Sequence, residues 1–197
     1  MSDLLLVRHG ETAWSADGRH TGRTDVPLTA KGVEEAVSLA AFFQDRHPAL
    51  VLASPLRRAV ATAELTGLTG AFTDTDLYEW DYGGYEGVTT EQIRRSTPDW
   101  SLWTHGVPPG DAAHPGESAA EVGARADRAL ARVAPVLRAD GGDAVVVAHG
   151  HFLRVLTARY LGLDPAYGRL FLLHTGTVGV LSTEHGLPVI AGWNIRP

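Results

Sequence analysis

Three short apolar runs in the chain are each followed by side chains that can bind phosphate or react with it. The first run ends at Arg8-His9-Gly10, the second is followed by Ser54 and then Arg57-Arg58, and the third ends at His149-Gly150-His151. Arginine is a planar, bidentate partner for phosphate, and histidine can accept a phosphoryl group as a nucleophile. The glycine after each histidine would let backbone N–H groups approach an oxyanion. These residue types and their spacing indicate a site for phosphoryl chemistry.

Each of these motifs alone also has an ordinary structural explanation. An Arg-His-Gly triplet can be a surface turn, an Arg-Arg pair can face solvent, and the histidines at 149 and 151 could be half of a metal site. No acidic or cysteine partners stand at ligand spacing, so we expect no metal. The repetition of the same chemistry after three apolar runs is what favours one shared phosphate site.

A phosphoryl-transfer site also needs a proton donor for the departing alkoxide. The acids nearest to aromatic residues lie at positions 77–87, where Glu79 stands between Tyr78 and Trp80. Apolar surroundings would favour the protonated carboxyl that a general acid requires, so Glu79 is our candidate. Asp81 is the next candidate, and Asp81 and Glu86 are otherwise interpreted as acids on a solvated loop.

The elements that must position these residues are predicted by the apolar runs. Residues 4–7, 50–53 and 144–148 are continuously apolar, as in parallel strands that are buried on both faces. Helical patterns separate or follow them at residues 29–43, 55–65, 118–137 and 152–161. The first helix is expected to begin at Thr29 as N-cap, with an apolar face at Val33, Ala36, Val37, Ala40 and Ala41. The alternation predicts an α/β domain with a mainly parallel sheet, whose ligand binds at the carboxyl ends of the strands.

Two further segments complete the predicted architecture. Residues 177–182 and 188–192 predict a hairpin on the sheet edge, turning at 184–186. Residues 73–115, here called the excursion, contain one predicted helix at 90–96 and are expected to lie outside the sheet as a lid that sets specificity. The Arg94-Arg95 pair is interpreted as a solvated helix face. Ligand contacts are expected from the aromatic residues of the excursion, namely Trp80, Tyr82, Tyr85, Trp100 and Trp103.

The composition is that of one globular domain covering residues 1–197, and it excludes several classes of protein. The formal net charge of −6 argues against a nucleic-acid surface, and the absence of cysteine excludes a disulfide framework and a cysteine nucleophile. No apolar run approaches the roughly 18 residues of a membrane span. The first residues do not resemble a signal peptide, so the cytoplasm is the expected location.

Taken in order, these motifs resemble those of the histidine phosphatase superfamily, which includes the cofactor-dependent phosphoglycerate mutases. The resemblance covers nearly the whole chain, and it looks closest to small actinobacterial members that are similar to acid phosphatases. It implies a three-layer α/β/α sandwich. The matching residues are LLVRHGET at 5–12, the pattern GxxDxPLTxxG at 22–32, ASPLRRA at 53–59, Glu79 with the glycines that follow it, PGES at 115–118 and VVAHG at 146–150.

Carried over residue by residue, the resemblance implies the role of each site residue. The phosphoryl-accepting nucleophile falls on His9, the proton donor on Glu79, and the phosphate-clamping residues on Arg8, Arg58 and His149. Arg58 is chosen because the clamping arginine of the family immediately precedes an alanine. No metal or organic cofactor is implied. Further phosphate-binding or substrate-facing positions fall on Gly150, Ser15, Thr21 and Gly22, with Ser15 standing where family members often have an asparagine.

Three functions are compatible with such a site. If water attacks the phosphohistidine, the protein is a phosphomonoesterase, and if a second hydroxyl of the bound ligand attacks it, the protein is a phosphoglycerate mutase. Glu79 and His149 are only 70 positions apart, a shorter stretch than the mutases have, which favours the phosphomonoesterase. An inactive module that only binds phosphate ligands is less consistent with the presence of both nucleophile and acid. The implied partner is a small-molecule phosphate ester, without nucleic acid or membrane, and the family leaves a homodimer open.

Overall fold

Strands and helices alternate along most of the chain. The structure, a computed structural model, describes residues 2–139 and 141–197. Short 3₁₀ segments lie at Thr75–Leu77, Gly83–Tyr85 and Pro165–Leu170. None of the helices in the part of the chain that the structure describes is long and apolar enough to cross a membrane. In chain order, the elements are β1 (Leu4–Arg8), α1 (Ala13–Ala16), α2 (Ala30–Ser38), α3 (Ala40–Phe43), β2 (Leu50–Ala53), α4 (Arg57–Leu65), β3 (Phe72–Thr73), α5 (Thr90–Ser96), α6 (Leu102–His105), α7 (Ala119–Ala139), β4 (Ala144–Ala148), α8 (Gly150–Tyr160), β5 (Thr177–Glu184) and β6 (Leu187–Ile195).

The six strands form one sheet in the order β3-β2-β4-β1-β5-β6. The first four strands in this order are parallel, and the antiparallel β5–β6 hairpin extends the sheet beyond β1. The three strands predicted to carry the site are therefore direct neighbours. Because Arg8 pairs with Ala148, the residues that follow β1 and β4 lie next to each other at the carboxyl-terminal edge of the parallel strands. The predicted mixed α/β fold with a mostly parallel sheet is confirmed.

β2, β4 and the first four residues of β1 are apolar at every position because helices cover both faces of the sheet. Leu4 and Leu6 point into a core formed with α7, α8 and the excursion, whereas Leu5 and Val7 point into a core formed with α3 and α4. Successive side chains of a strand face opposite sides, so the same short run supplies both cores. This arrangement gives the three layers that the resemblance implies.

The sheet edges differ in how well they could be predicted. The hairpin is confirmed, and its strands are joined by a two-residue turn at His185 and Gly186 with φ of 50° and 82°. Both residues adopt the positive φ of the turn type that matches the twist of paired strands. At the opposite edge β3 was not predicted, because it has only two residues. It includes Thr73, so the excursion begins inside the sheet.

The first predicted helix is two helices, separated at Leu39. Thr29 is the N-cap as predicted, and its hydroxyl accepts the Gly32 N–H at 3.0 Å. The predicted apolar face was wrong for Val33 and Val37, which are 39% and 50% exposed, but it was right for Ala36, which is buried. A Cβ on Gly32 would lie 2.0 Å from the Glu11 carbonyl oxygen, so this close approach selects a neighbouring face of the helix. The residues buried on that face are Gly32, Ala36, Leu39 and Phe43.

The excursion packs against the sheet with most of its aromatic residues. Trp80 and Trp100 are buried in the core beside α7 and α8. Trp80 is fully buried, so the expectation that it contacts a ligand directly was wrong. Helix α5 has the predicted bounds, and α6 is an additional single turn. The aromatic enrichment of this segment thus reflects burial. Its function as a lid stays a prediction.

Candidate active site

A cavity of about 230 Å³ opens at the carboxyl ends of β1 and β4. Six predicted site residues line it, and three do not. A larger surface cavity of about 690 Å³, formed around residues 40–69, contains none of them. The lining residues among the predicted set are Arg8, His9, Ser15, Thr21, Glu79 and Gly150, whereas Gly22, Arg58 and His149 lie outside the lining.

His9 is held in an orientation that leaves one ring nitrogen free to react. Its backbone N–H donates to the Ala148 carbonyl at 3.1 Å, and its Nδ1 lies 2.7 Å from the Gly10 carbonyl oxygen. A carbonyl can only accept, so Nδ1 carries the proton and Nε2 carries the lone pair. Within residues 2–139 and 141–197, Nε2 makes no hydrogen bond. Burial, then Arg58 and Arg8, lower the pKa of His9 well below its usual value, which favours the neutral ring.

Arg8 presents an unsatisfied donor beside the start of α8. Its Nη1 donates to the Leu173 carbonyl at 2.5 Å, while its buried Nε has no partner from any residue that the structure describes. A Cβ on Gly150 would lie 3.1 Å from the Arg8 Cζ, so a larger residue there would press against the guanidinium. The first amides of a helix attract anions. An unpaired donor and a helix N-terminus therefore converge on the same wall of the cavity.

Arg58 and His149 form a fully buried chain behind His9. The Arg58 Nε donates to His149 Nδ1 at 3.1 Å, so the His149 Nε2–H donates to Ser54 Oγ at 2.7 Å. The His9 and His149 ring centroids are 5.1 Å apart. Burial, then Arg58 and His9, lower the pKa of His149 well below its usual value. Arg57, by contrast, lies at the exposed surface and pairs with Asp25 at 2.9 Å.

The remaining donors of Arg58 hold the loop at residues 21–24. They reach the carbonyls of Thr24 at 2.9 Å, Gly22 at 2.9 Å and Thr21 at 3.3 Å. Arg58 and His149 are thus brought next to His9, but their hydrogen bonds go to protein groups. Direct contact of these two residues with phosphate stays a prediction.

Ser15, Thr21 and Gly22 have local structural partners. Ser15 forms a capping box with Thr12 at the start of α1, with an N–H···Oγ distance of 2.9 Å. The Thr21 hydroxyl donates to the Arg19 carbonyl at 3.1 Å, and the Gly22 N–H reaches the Glu86 carboxylate at 3.0 Å. Ser15 and Thr21 nevertheless face the cavity, whereas Gly22 shapes the loop behind it. Their contacts with substrate stay predictions.

Glu79 is fixed by backbone amides. Oε1 accepts the N–H groups of Trp80 at 2.9 Å and Phe152 at 2.8 Å, and Oε2 accepts the N–H of His151 at 3.0 Å. The apolar environment expected for this carboxyl was therefore wrong, since its surroundings are hydrogen-bond donors. Oε2 makes only one of these bonds and belongs to a residue that lines the cavity. Glu79 is thus a rigidly oriented carboxyl that faces the same space as His9.

The two other acids considered for proton donation are structural. Asp81 is fully buried, and its Oδ1 accepts the N–H groups of Gly83 at 3.0 Å and Gly116 at 3.1 Å. Glu86 holds the loop at Gly22. The interpretation as a solvated loop acid was wrong for Asp81, which is buried, whereas Glu86 is half-buried. Neither acid lines the cavity, where Glu79 is the acid among the lining residues.

The segment that carries Glu79 is attached to α7 by an arginine and a glutamate, here called the Arg125–Glu117 clamp. Arg125 forms a two-pronged ion pair with Glu117, with both N···O distances 2.8 Å. The same guanidinium donates to the carbonyls of Asp76 at 2.6 Å, Tyr78 at 2.9 Å and Glu79 at 3.3 Å. The PGES motif supplies Glu117, which gives that motif a physical role.

Tyr82, one of the aromatic residues expected to contact ligand, lines the cavity, whereas His20, His151 and Arg154 were not assigned to the site, although His151 stands in a motif that the sequence analysis singled out. The Tyr82 hydroxyl lies 2.7 Å from His151 Nδ1, and the His20 ring packs on Tyr82 with centroids 4.7 Å apart. Burial lowers the pKa of His20 to about 4. Arg154 could have been inferred from its spacing, because it stands one helical turn after His151. No sequence signal identifies His20.

The Arg94-Arg95 pair lies on an exposed face of α5, as predicted. Arg95 is exposed and pairs with Glu91 at 3.1 Å. Arg94 lines a neighbouring cavity of about 180 Å³ together with Trp100 and Trp103, and its Nε donates to the Trp100 carbonyl at 3.0 Å. Arg94 is nevertheless exposed, so the interpretation of the pair as a solvated helix face is confirmed.

Comparisons with known proteins agree with this geometry. A family model described as the histidine phosphatase superfamily (branch 1) matches residues 4–196. An acid phosphatase of Mycobacterium tuberculosis is 46% identical over 191 residues, covering 95% of this chain and 90% of that protein. A glucosyl-3-phosphoglycerate phosphatase of Mycolicibacterium vanbaalenii is 36% identical over 178 residues, covering 81% of this chain and 74% of that protein. The solved structure of an open-reading-frame product of Mycobacterium tuberculosis has a TM-score of 0.91 and 43% identity, covering 99% and 98% of the two chains.

The match spans both the motifs and the fold that positions them. It confirms the resemblance drawn from the sequence, and the phosphatase relatives support hydrolysis more than a mutase-like role. The chain belongs to branch 1 of the histidine phosphatase superfamily and is a phosphomonoester hydrolase of the histidine phosphatase type.

Proposed function

We propose that the protein hydrolyses small phosphate monoesters in two steps through a phosphohistidine formed on Nε2 of His9. The observation that carries this proposal is the 2.7 Å contact between Nδ1 and the Gly10 carbonyl, which leaves Nε2 as the nucleophile in the cavity. The lowered pKa of His9 keeps that nitrogen unprotonated. Metal or organic cofactors have no part in the proposed steps.

In the first step, the Nε2 lone pair attacks phosphorus and the bond to the ester oxygen breaks. The leaving alkoxide takes a proton from the Glu79 carboxyl, which becomes a carboxylate. Arg8 and the backbone N–H of Gly150, the first residue of α8, stabilise the charge on the equatorial phosphoryl oxygens. Arg58 and His149 are proposed to contact the same oxygens, supported by the 5.1 Å between the rings of His9 and His149.

In the second step, water attacks the phosphohistidine. The P–N bond breaks and returns the electron pair to Nε2, and the proton released by water goes to Glu79. Inorganic phosphate leaves with both catalytic groups restored. The Glu79 carboxylate is well placed for both proton transfers, because three amide bonds fix its orientation throughout.

The leaving group is proposed to contact the wall that the excursion supplies. Glu79, Tyr82 and Thr90 belong to the excursion and line the cavity, which supports a role for this segment in specificity. Its movement as a lid, the cytoplasmic location and the homodimer are further predictions that this geometry does not address.

The test is turnover of p-nitrophenyl phosphate in the presence of EDTA, combined with trapping of the acid-labile phosphoenzyme. We expect turnover that vanadate inhibits, and loss of both turnover and trapped phosphate in His9→Ala. His47→Ala is the matched control, because His47 lines the large cavity around residues 40–69 and not the site. A phosphoenzyme that persists in His9→Ala would overturn the proposal.

Two further assays on the same preparation distinguish the alternative functions. Conversion of 3-phosphoglycerate to its 2-isomer in the presence of the bisphosphoglycerate would identify a mutase. Binding of inorganic phosphate without turnover between about pH 4 and pH 8 would identify an inactive module, because this range brackets the ionisation of free carboxyls and imidazoles.

A further inference from the structure

Arg154 is an immobilised cation in the wall of the catalytic cavity. It lies on α8, one turn after His151, and lines the cavity together with His9. Its Nε donates to the Gly168 carbonyl at 2.9 Å and its Nη2 to the Arg169 carbonyl at 3.0 Å. The guanidinium carbon lies 4.8 Å from the centre of the Trp103 ring. These three contacts fix the orientation of the side chain before any ligand arrives.

Glu79 is a nearby acid that acts on Arg154 electrostatically, but it does not form an ion pair with it. Among the described residues Arg154 forms no ion pair, and its Nη1 makes no hydrogen bond. On the same helix, Arg159 pairs with Asp127 at 2.8 Å. Glu79, the acid that lines the same cavity, directs its oxygens to three backbone amides. A largely buried cation without an anion is unfavourable, and a bound anionic group would offset that cost.

The other groups in the cavity wall do not duplicate this charge. Arg8 and the start of α8 already serve the phosphoryl group that is transferred. His20 and His151 are neutral, because burial lowers the pKa of both. Arg19 is exposed and lies 3.4 Å from Asp17. Arg154 is therefore the fixed, unpaired cation that remains available to another part of the ligand.

We propose that Arg154 binds a second acidic group, a carboxylate or a phosphate, on the leaving group of the substrate. The proposal rests on the proposed function and narrows its substrate class to phosphate monoesters that carry another anion. The leaving group would pass the neutral wall formed by His20, Tyr82 and His151 and place its acid against Nη1. Two backbone bonds and the Trp103 ring hold the guanidinium for this contact at little further cost in side-chain entropy.

The experiment compares two substrates that differ only in the second acid. In 3-phosphoglycerate a carboxylate stands where glycerol 3-phosphate has a hydroxymethyl group. We expect the wild-type kcat/KM to favour the acid by roughly ten- to hundredfold, the usual effect of one hydrogen bond to a charged group. Arg154→Gln should bring the ratio close to one. Fructose 1,6-bisphosphate against fructose 6-phosphate gives the same comparison for a phosphate as the second acid.

The ratio of kcat/KM values cancels any general loss of activity. Arg159→Gln is the matched control, because it removes a positive charge from the same helix away from the cavity, and it should keep the wild-type ratio. Arg154→Met retains the apolar stem against Trp103 and provides a second neutral variant if Arg154→Gln unfolds. A carboxylate-only or a phosphate-only preference identifies which acid is bound.

Two results would overturn the proposal. One is a wild-type ratio near one for both pairs of substrates. The other is a preference that survives in folded Arg154→Gln or Arg154→Met. Either result is distinct from failure of the proposed function, because p-nitrophenyl phosphate turnover and the trapped phosphoenzyme on His9 are measured independently of the second acid.

Discussion

Removal of Arg125 should destabilise the protein strongly, although Arg125 lies outside the catalytic cavity. Arg125 is 8% exposed, and the side chain of its partner Glu117 is 12% exposed. Arg125→Met would leave the Glu117 carboxylate without its guanidinium and would remove the donor from the carbonyls of Asp76, Tyr78 and Glu79. Breaking a buried ion pair from one side costs roughly 3–5 kcal/mol. We expect the free energy of unfolding to fall by that amount.

Arg128→Met is the control for this measurement. Arg128 stands three residues further along α7 and pairs with Asp76 at 2.6 Å, but its side chain is 55% exposed. Solvent screens an exposed pair, so Arg128→Met should lose much less stability than Arg125→Met. Urea unfolding at constant m-value measures the difference. Equal losses in the two variants would refute the argument from burial.

The Arg125–Glu117 clamp should also affect catalysis in a characteristic way. It holds the carbonyls of Tyr78 and Glu79, so a displaced Glu79 should slow substrates whose leaving group needs a proton. Arg125→Met should therefore lower turnover of alkyl phosphates more than turnover of p-nitrophenyl phosphate. A folded variant with the same loss for both substrates would show that the clamp only stabilises the fold.

Three further outcomes can be measured with single substitutions. Glu79→Gln should lower turnover of alkyl phosphates by about 10²–10⁴-fold and affect aryl phosphates far less, and equal losses would remove Glu79 from the acid role. Gly150→Ala should raise the inhibition constant of inorganic phosphate, because the new methyl group would stand 3.1 Å from the Arg8 Cζ, and an unchanged constant would contradict this contact. His20 has a pKa of about 4 in the fold and about 6.5 when unfolded, so its contribution to stability is complete above pH 6.5 and is lost as the pH falls towards 4. Over that window wild type should lose about 3 kcal/mol more than His20→Gln, and parallel pH profiles of unfolding would contradict the burial of a neutral ring.

The part of the site built on strand ends could be predicted because sequence order and spatial order are linked there. Apolar runs identify β1, β2 and β4, and parallel strands bring their carboxyl ends to one edge. Thus His9 and His149, which are far apart in the chain, lie with ring centroids 5.1 Å apart as the strand argument requires. The local pattern of apolar residues therefore predicts the proximity of two side chains that are distant in the sequence.

The partners of Glu79 could not be predicted, because no local pattern specifies them. Its amide donors lie beside it at Trp80 and 72 and 73 positions away at His151 and Phe152. The aromatic residues around it suggested an apolar pocket, but Trp80 is directed into the core. The buried face of α2 was mispredicted for a related reason. The helical pattern is compatible with burial of either Val33 or Gly32, and the close contact of Gly32 with the Glu11 backbone determines which of the two faces the protein interior.

Residues at the start of α8 contact or orient most of the groups that the proposed reaction needs. Its N-cap His149 accepts the Arg58 bond, Gly150 leaves room for Arg8, and the next two amides hold Glu79. β4 ends directly before this helix and pairs with β1, which ends directly before His9. The nucleophile and the acid are thus related through backbone hydrogen bonds. Substitution of a residue elsewhere in the cavity wall, such as Arg154, should therefore change the choice of leaving group without displacing the two groups that are proposed to break the ester bond.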